Sequence, residues 1–257
     1  MFLPMVAPAA EAAKTAGPRV ALVTGAGGGI GAGIARRLSA DGFAVALVDV
    51  DARAVEAAAQ GLAAAVPFVC DVSDAHAVAV LHGAVQQRLG APWLLVNAAG
   101  VFFTHRVPEL DESDWDRTID VNLKGPFLTC RALLPGMIAA GSGCIINVAS
   151  TAGLRGGHDR AAYCASKAGL VMFSRSLALD HGADGVRINC VCPGLIDTAM
   201  ADWITSRPEA LEQWRERVPA QRIGQPEDIA SMVSFLASPG ADYVHGTVLL
   251  VDGGVSA

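Results

Sequence analysis

A doubly wound parallel α/β sheet of about seven strands, with helices on both faces, is the fold this chain predicts. Three observations predict it: short continuous apolar runs, their alternation with longer Ala-rich stretches, and a glycine-rich turn closing the first run. Continuously apolar strands imply burial on both faces, as in a parallel sheet covered by helices. Strand-helix alternation supplies the crossovers that such a sheet requires.

The strand-like runs are 20–24, 44–49, 67–70, 93–97, 144–149, 186–191 and 248–251. Helix-like stretches fall at 30–40, 52–63, 75–89, 112–139, 161–181 and 227–237. The alternation breaks at 193–226, which holds Trp203, Trp214 and a helix-prone segment at 208–217. A long insertion at the carboxyl end of a strand lies where open sheets bind ligands. Residues of about 194–225 are therefore expected to form a mobile substrate lid. Residues 1–18 are rich in Ala and Pro, with Lys14 as their one basic side chain. They lack the basic start and continuous apolar core of a signal peptide and are expected to be a flexible extension. Residues 19–257, without repeats or linkers, are expected to form one domain.

A net charge of −6 offers no basic field for nucleic acid or an anionic membrane, and no run reaches the ~20 apolar residues of a membrane helix. The six cysteines include no Cys-x-x-Cys pair and the six histidines no His-x-x-x-His pair. No metal site is expected, and a reducing cytoplasm fits. Hydrophobic residues make up 52% of the chain, an excess for a monomer that points to subunit interfaces.

The first strand ends in Thr24-Gly25-Ala26-Gly27-Gly28-Gly29-Ile30-Gly31, and a helix follows. Glycines let backbone amides approach a phosphate, and the helix start adds partial positive charge. A glycine turn between the first strand and the first helix is the context that marks a dinucleotide site, a Rossmann-like arrangement. No Gly-Lys-Ser/Thr follows, which excludes a P-loop. Asp49 ends the second strand, where a carboxylate accepts the adenosine ribose hydroxyls and repels a 2′-phosphate. NAD(H) is thus favoured over NADP(H). Asp51 more naturally caps the next helix.

Tyr163 and Lys167 stand four residues apart, so a helix stacks them on one face. A neighbouring ammonium favours phenolate over phenol, drawing the tyrosine from about 10 toward the working range of a general acid or base. With the glycine turn, Asn97-Ala98-Ala99-Gly100, Asn122, Ser150, Tyr163-x-x-x-Lys167 and Pro193-Gly194 before Thr198, the chain resembles the short-chain dehydrogenase/reductase family from about residue 19 to 255.

The resemblance implies roles at particular positions. Gly25, Gly28, Gly29, Ile30 and Gly31 would cradle the pyrophosphate and Asp49 the adenosine ribose. Asp71 and Val72 would hold the adenine, and Asn97, Ala98 and Gly100 would line the cofactor cleft. Pro193, Gly194, Ile196 and Thr198 would embrace the nicotinamide. Lys167 would also bind its ribose, and Asn122 would support a water leading to Lys167. Tyr163 would remove the carbinol proton during hydride transfer, and Ser150 would hydrogen-bond the substrate oxygen, with Thr151 as partial substitute. In the loop 154–159, His158 is a candidate substrate contact, and Phe102 and Phe103 offer an apolar wall.

The activity implied is NAD-dependent interconversion of a small secondary alcohol, polyol or hydroxy compound and its ketone, in a homotetramer packed through residues 123–134 and 170–179. Alternatives are a 3-oxoacyl-thioester reductase, which the Asp49 reading disfavours, or a dinucleotide-binding regulator without chemistry. A lyase or dehalogenase on the same scaffold would be expected to lose the glycines.

Overall fold

The computed structural model describes residues 17–257; most of the expected N-terminal extension lies outside the described residues. Seven strands form one parallel sheet: β1 Val20–Thr24, β2 Ala44–Asp49, β3 Ala65–Val69, β4 Pro92–Asn97, β5 Gly143–Val148, β6 Val186–Pro193 and β7 Val248–Val251. Their order is β3-β2-β1-β4-β5-β6-β7. The chain winds outward from β1 in one direction and, after β3, returns to β4 and winds in the other. Crossovers on either side of β1 and β4 therefore diverge, opening a crevice at the carboxyl ends of these two strands.

Nine α-helices follow among the described residues: α1 Gly29–Ala40, α2 Ala52–Ala59, α3 Ala75–Leu89, α4 Glu112–Ile119, α5 Gly125–Ala140, α6 Ala161–His181, α7 Asp202–Thr205, α8 Pro208–Arg217 and α9 Pro226–Leu236. Period-two alternation divides the strands between two layers. Ala21, Val23, Val45 and Leu47 pack under Ile34 and Leu38 of α1 and Ile229 and Val233 of α9. Leu22, Ala46, Leu95 and Ile145 face Leu81 and Val85 of α3 and Leu133 and Met137 of α5. Burying each such Leu or Ile contributes about 1.5–3 kcal/mol.

Local chemistry sets several boundaries. The Asp51 carboxylate accepts from Arg53 N and Ala54 N, capping α2 as its position suggested. The expected helix 52–63 stops at Ala59, before Gly61 at φ 76° and Ala64 at φ 50°, and β3 begins at Ala65. The expected helix 112–139 is also interrupted. A π-helical turn at Asp120–Lys124, closed by Gly125 N donating to Asp120 O, separates α4 from α5. Such a turn spaces side chains differently from an α-helix, which periodicity in the sequence does not reveal. The segment 193–226 folds into the short α7 and, over the helix-prone residues 208–217, α8.

Gly25, at φ 67°, turns the chain off β1 against the loop after β4. A Cβ there would stand 2.7 Å from Ala99 Cα and 2.8 Å from Ala99 N. Thr24 Oγ1 draws that loop in by accepting from Ala98 N and Ala99 N, each at 3.1 Å. Gly28 differs: its φ of −169° suits any residue, and a Cβ would have nothing within 4 Å. Gly25→Ala is expected to destabilise the fold by about 2–4 kcal/mol in urea unfolding. Gly28→Ala should stay within about 1 kcal/mol of wild type; equal losses in both would refute this packing account.

Candidate active site

Helix α6 places the first two groups. Ala162, Ser166, Leu170, Ser174 and Ala178 form its buried stripe at four-residue spacing, and Lys167 and Val171 widen it. Lys167 is therefore carried inward, 4% exposed, where its ammonium donates to Val148 O at 3.0 Å. Its Nζ lies 5.7 Å from the centre of the Tyr163 ring. Burial lowers Lys167 to about 8, partly opposed by Cys190 and Cys192.

The phenol departs from the sequence expectation. Burial pushes Tyr163 up to about 12, against the pull of the Ser150 hydroxyl and the Arg160 charge toward phenolate. Lysine proximity was expected to lower it. Here the ammonium, 5.7 Å from the ring centre, donates to a backbone carbonyl, and desolvation of the phenol prevails over the helical pairing.

Ser150 follows β5 and caps a short 3₁₀ turn, its Oγ accepting from Ala152 N at 3.1 Å. That leaves the hydroxyl hydrogen for the Tyr163 oxygen, the source of its pull toward phenolate. Ser150, Thr151 and Tyr163 line a cavity of about 720 Å³ with Phe102, Pro193 and Thr198. Gly194, Ile196 and Ile30 border it too, as do Trp203 of α7 and Trp214 of α8. The apolar run ending β6 is thus brought beside the serine and tyrosine.

A second cleft, of about 450 Å³, adjoins the glycine turn and is lined by Gly25, Asp49, Asp71, Val72, Gly100 and Arg117, among others. Asp49 Oδ2 accepts from Gly27 N at 2.9 Å and Oδ1 from Asp51 N at 3.1 Å. Each oxygen retains acceptor capacity toward the cleft. Asp71 is braced by Ser73 and by Arg117, whose Nη1 donates to it at 3.0 Å. These bonds hold its carboxyl below the usual range although burial alone would raise it. Thr198 reaches back to the turn: a Cβ on Gly29 would stand 3.1 Å from its Cγ2.

Two expected roles narrow. The Asn97 side chain is turned into the interior, donating to Asn147 Oδ1 at 2.8 Å and accepting from Thr129 Oγ1 at 2.7 Å. It ties strands together, so only its backbone remains for a cleft ligand. Asn122, in the π turn, clasps the next loop: it accepts from Val101 N at 2.8 Å and donates to Val101 O and Ser166 Oγ. A Cβ on Gly100 would meet both Asn122 Oδ1, at 3.3 Å, and Lys167 Nζ, at 3.6 Å.

His158 is a correction. It is exposed and lies outside the cavity, as do Leu154, Arg155 and Phe103. Arg160 takes that place instead. It immediately precedes α6, three residues before Tyr163, a nearness by which the sequence could have disclosed it. Asn147 was also missed, although a lone amide inside the apolar run Cys144-Ile145-Ile146-Asn147-Val148 is a sign of a buried polar network.

A family model described as enoyl-(acyl carrier protein) reductase matches residues 25–256. Meso-2,3-butanediol dehydrogenase of Serratia marcescens is 40% identical over 242 residues, 93% of this chain and 95% of that protein. Galactitol 2-dehydrogenase (L-tagatose-forming) of Cereibacter sphaeroides is 41% identical over 239 residues, 91% and 93% of the two chains. The chain belongs to the short-chain dehydrogenase/reductase family. The crystal structure of gox2181 matches the fold with a TM-score of 0.89 at 31% identity, covering 94% of this chain and 96% of that one. As a short-chain dehydrogenase/reductase, the protein is an oxidoreductase acting on CH–OH groups with a nicotinamide dinucleotide.

The burial of Lys167 carries a stability cost in this oxidoreductase. Its penalty is fully present below pH about 8 and vanishes as pH rises past the ordinary lysine value of 10.5. Lys167→Met is therefore expected to stabilise the ligand-free chain at pH 7 by about 1–3 kcal/mol, with the gain shrinking between pH 8 and 10.5. Urea midpoints across that range test it; an unchanged or lower midpoint at pH 7 would overturn the ordering of these effects.

Proposed function

We propose that the protein is an NAD(H)-dependent dehydrogenase of a small secondary alcohol, polyol or hydroxy compound, with Tyr163 as general acid/base. The observation that carries the reading is the convergence of Ser150 and Tyr163 on one cavity with Ile196 and Thr198, beside the glycine turn. The relatives named as butanediol and galactitol dehydrogenases support a small polyhydroxy substrate.

The chain's own groups fit a dinucleotide. Gly28 starts α1 with no side-chain cap and open space at its Cβ position, leaving backbone N–H groups for a pyrophosphate. Gly25, Gly29, Ile30 and Gly31 shape the rest of that cradle. Asp49, anchored by two backbone amides, presents its spare lone pairs for ribose hydroxyls and its charge against a 2′-phosphate. Asp71 and Val72 border the adenine end, and the backbone of Asn97 and Ala98 with Gly100 forms the floor. Pro193, Gly194, Ile196 and Thr198 enclose the nicotinamide end, where Lys167 has two further N–H donors for ribose hydroxyls. Bound there, the oxidised ring supplies the hydride acceptor and a positive charge.

With substrate bound, Ser150 turns its hydroxyl hydrogen to the substrate oxygen, and Tyr163 takes the carbinol proton as hydride leaves the same carbon. Asn122 positions the Val101 loop and Ser166 beneath this centre. In ketone reduction the protonated Tyr163 is a ready donor, whereas oxidation needs it deprotonated. The segment 194–225, with α7 and α8, serves as substrate lid within one domain of residues 19–257. Phe127, Met172 and Leu179 stand 43%, 57% and 88% exposed on α5 and α6. Their exposure supports a homotetramer packed through these helices, which sedimentation velocity should show as four chains; a monomer would refute it. The cysteines of the described residues are free, in keeping with a cytoplasmic setting.

Turnover followed by nicotinamide absorbance tests the reading. Oxidation should rise with pH and reduction fall, NAD should exceed NADP by about tenfold or more in kcat/KM, and Tyr163→Phe should lower kcat about a thousandfold or more while retaining dinucleotide binding. Wild-type rates in that variant would remove Tyr163 from the mechanism.

A further inference from the structure

Of the residues lining the substrate cavity, Arg160 alone carries a formal charge. Its guanidinium lies 5.6 Å from the centre of the Phe102 ring and 5.4 Å from that of Trp203. Cation–π contacts at these distances use none of its N–H donors. Nε donates to His158 O at 3.2 Å. The Nη donors have no hydrogen-bond acceptor among the described residues, and no carboxylate lies within ion-pair distance of them.

Arg160 also sits at the unfavourable end of a helix. It occupies the N-cap position of α6, whose first turn has no acidic residue and no side-chain cap. Cations are stabilised at helix C-termini, so here the guanidinium and the helix dipole add the same sign of potential. The preceding loop makes room for it: a Cβ on Gly157 would stand 2.6 Å from Arg160 Cδ, and Asp159 adopts φ 58°. On the cavity's other wall, the Trp214 indole Nε1 is buried without an acceptor. The cavity thus offers donors and positive potential with no acidic side chain on its lining.

We infer that Arg160 is a specificity-determining residue that receives an anionic oxygen group, carboxylate or sulfonate, on a short hydroxylated substrate. Phe102 touches both ends of the arrangement, its ring 4.9 Å from the Tyr163 ring and beneath the Arg160 guanidinium. A substrate with its carbinol at Tyr163 therefore places the anion one aromatic ring away. This rests on the secondary-alcohol reading and narrows it from neutral polyols toward hydroxy acids and their sulfonate counterparts.

Binding and turnover separate the two levels. Butyrate, propane-1-sulfonate and butyramide are titrated into the NADH-loaded enzyme, following tryptophan fluorescence from Trp203 and Trp214. Butyrate or the sulfonate should bind about 10- to 100-fold more tightly than butyramide. Arg160→Gln should abolish that preference, and Arg160→Lys should retain part of it. Equal binding of amide and anions, or a preference untouched in Arg160→Gln, would overturn the inference. The second measurement is the ratio of kcat/KM for 3-hydroxybutyrate over 3-hydroxybutyramide, in which any effect of Arg160 on Tyr163 cancels. That ratio should fall at least tenfold in Arg160→Gln. Turnover of the amide in preference to the acid overturns the anion subsite and leaves the alcohol reading standing. Anion preference in binding, with turnover of neither compound, supports the subsite and sinks the alcohol reading.

Discussion

A buried chain of amides and hydroxyls holds β4, β5, α5 and α6 in register. Thr129 of α5 donates to Asn97 at the end of β4, Asn97 to Asn147 of β5, and Asn147 to Ser174 of α6, which donates in turn to Leu170 O. Asn97 and Asn147 face each other as register partners across β4 and β5. In a low-dielectric interior such a chain is strong when every member is satisfied and costly when one is not. Shifting α6 by a turn relative to the sheet would break it. Tyr163 and Lys167 ride on α6 and Ser150 leaves β5 three residues after Asn147, so their mutual positions depend on these bonds.

The site divides into a part built from backbone and a part built from side chains. Around the glycine turn, selectivity arises from what is missing: Gly25 permits contact with the Ala99 backbone, and Gly28 leaves space beside the first amides of α1. Around Ser150 and Tyr163 it arises from burial. Desolvation moves Lys167 down and Tyr163 up, so both ionisations lie away from their solution values before any ligand arrives. The phenol is held as an acid, and charge brought into the cleft is what can shift it. The buried ammonium is a charge held inside the fold at a cost in stability.

Much of the fold was legible because parallel sheets write themselves as continuous apolar runs. All seven strands lie within two residues of the expected starts, since burial on both faces leaves little ambiguity. The helices were less legible where the deciding factor was local backbone geometry. The π turn at Asp120–Lys124 leaves hydrophobic periodicity nearly intact on both sides, yet it carries Asn122. The glycine turn, Ser150 and the Tyr163–Lys167 pair could be recognised from residue type and spacing, because each needs a particular chemistry at a particular distance along the chain.

Sequence by itself determined the alternation of strands and helices, the turn that follows β1, and the four-residue spacing that sets Tyr163 and Lys167 on one helix, all of which depend on short-range order along the chain. Tertiary structure decided which way side chains face and what surrounds them. It turned Asn97 inward, left His158 in solvent, and brought Arg160 against Phe102 and Trp203 from segments far apart in the chain. It also reversed the expected direction of the Tyr163 shift. Desolvation depends on atoms gathered from the whole fold, and a four-residue spacing carries no record of it.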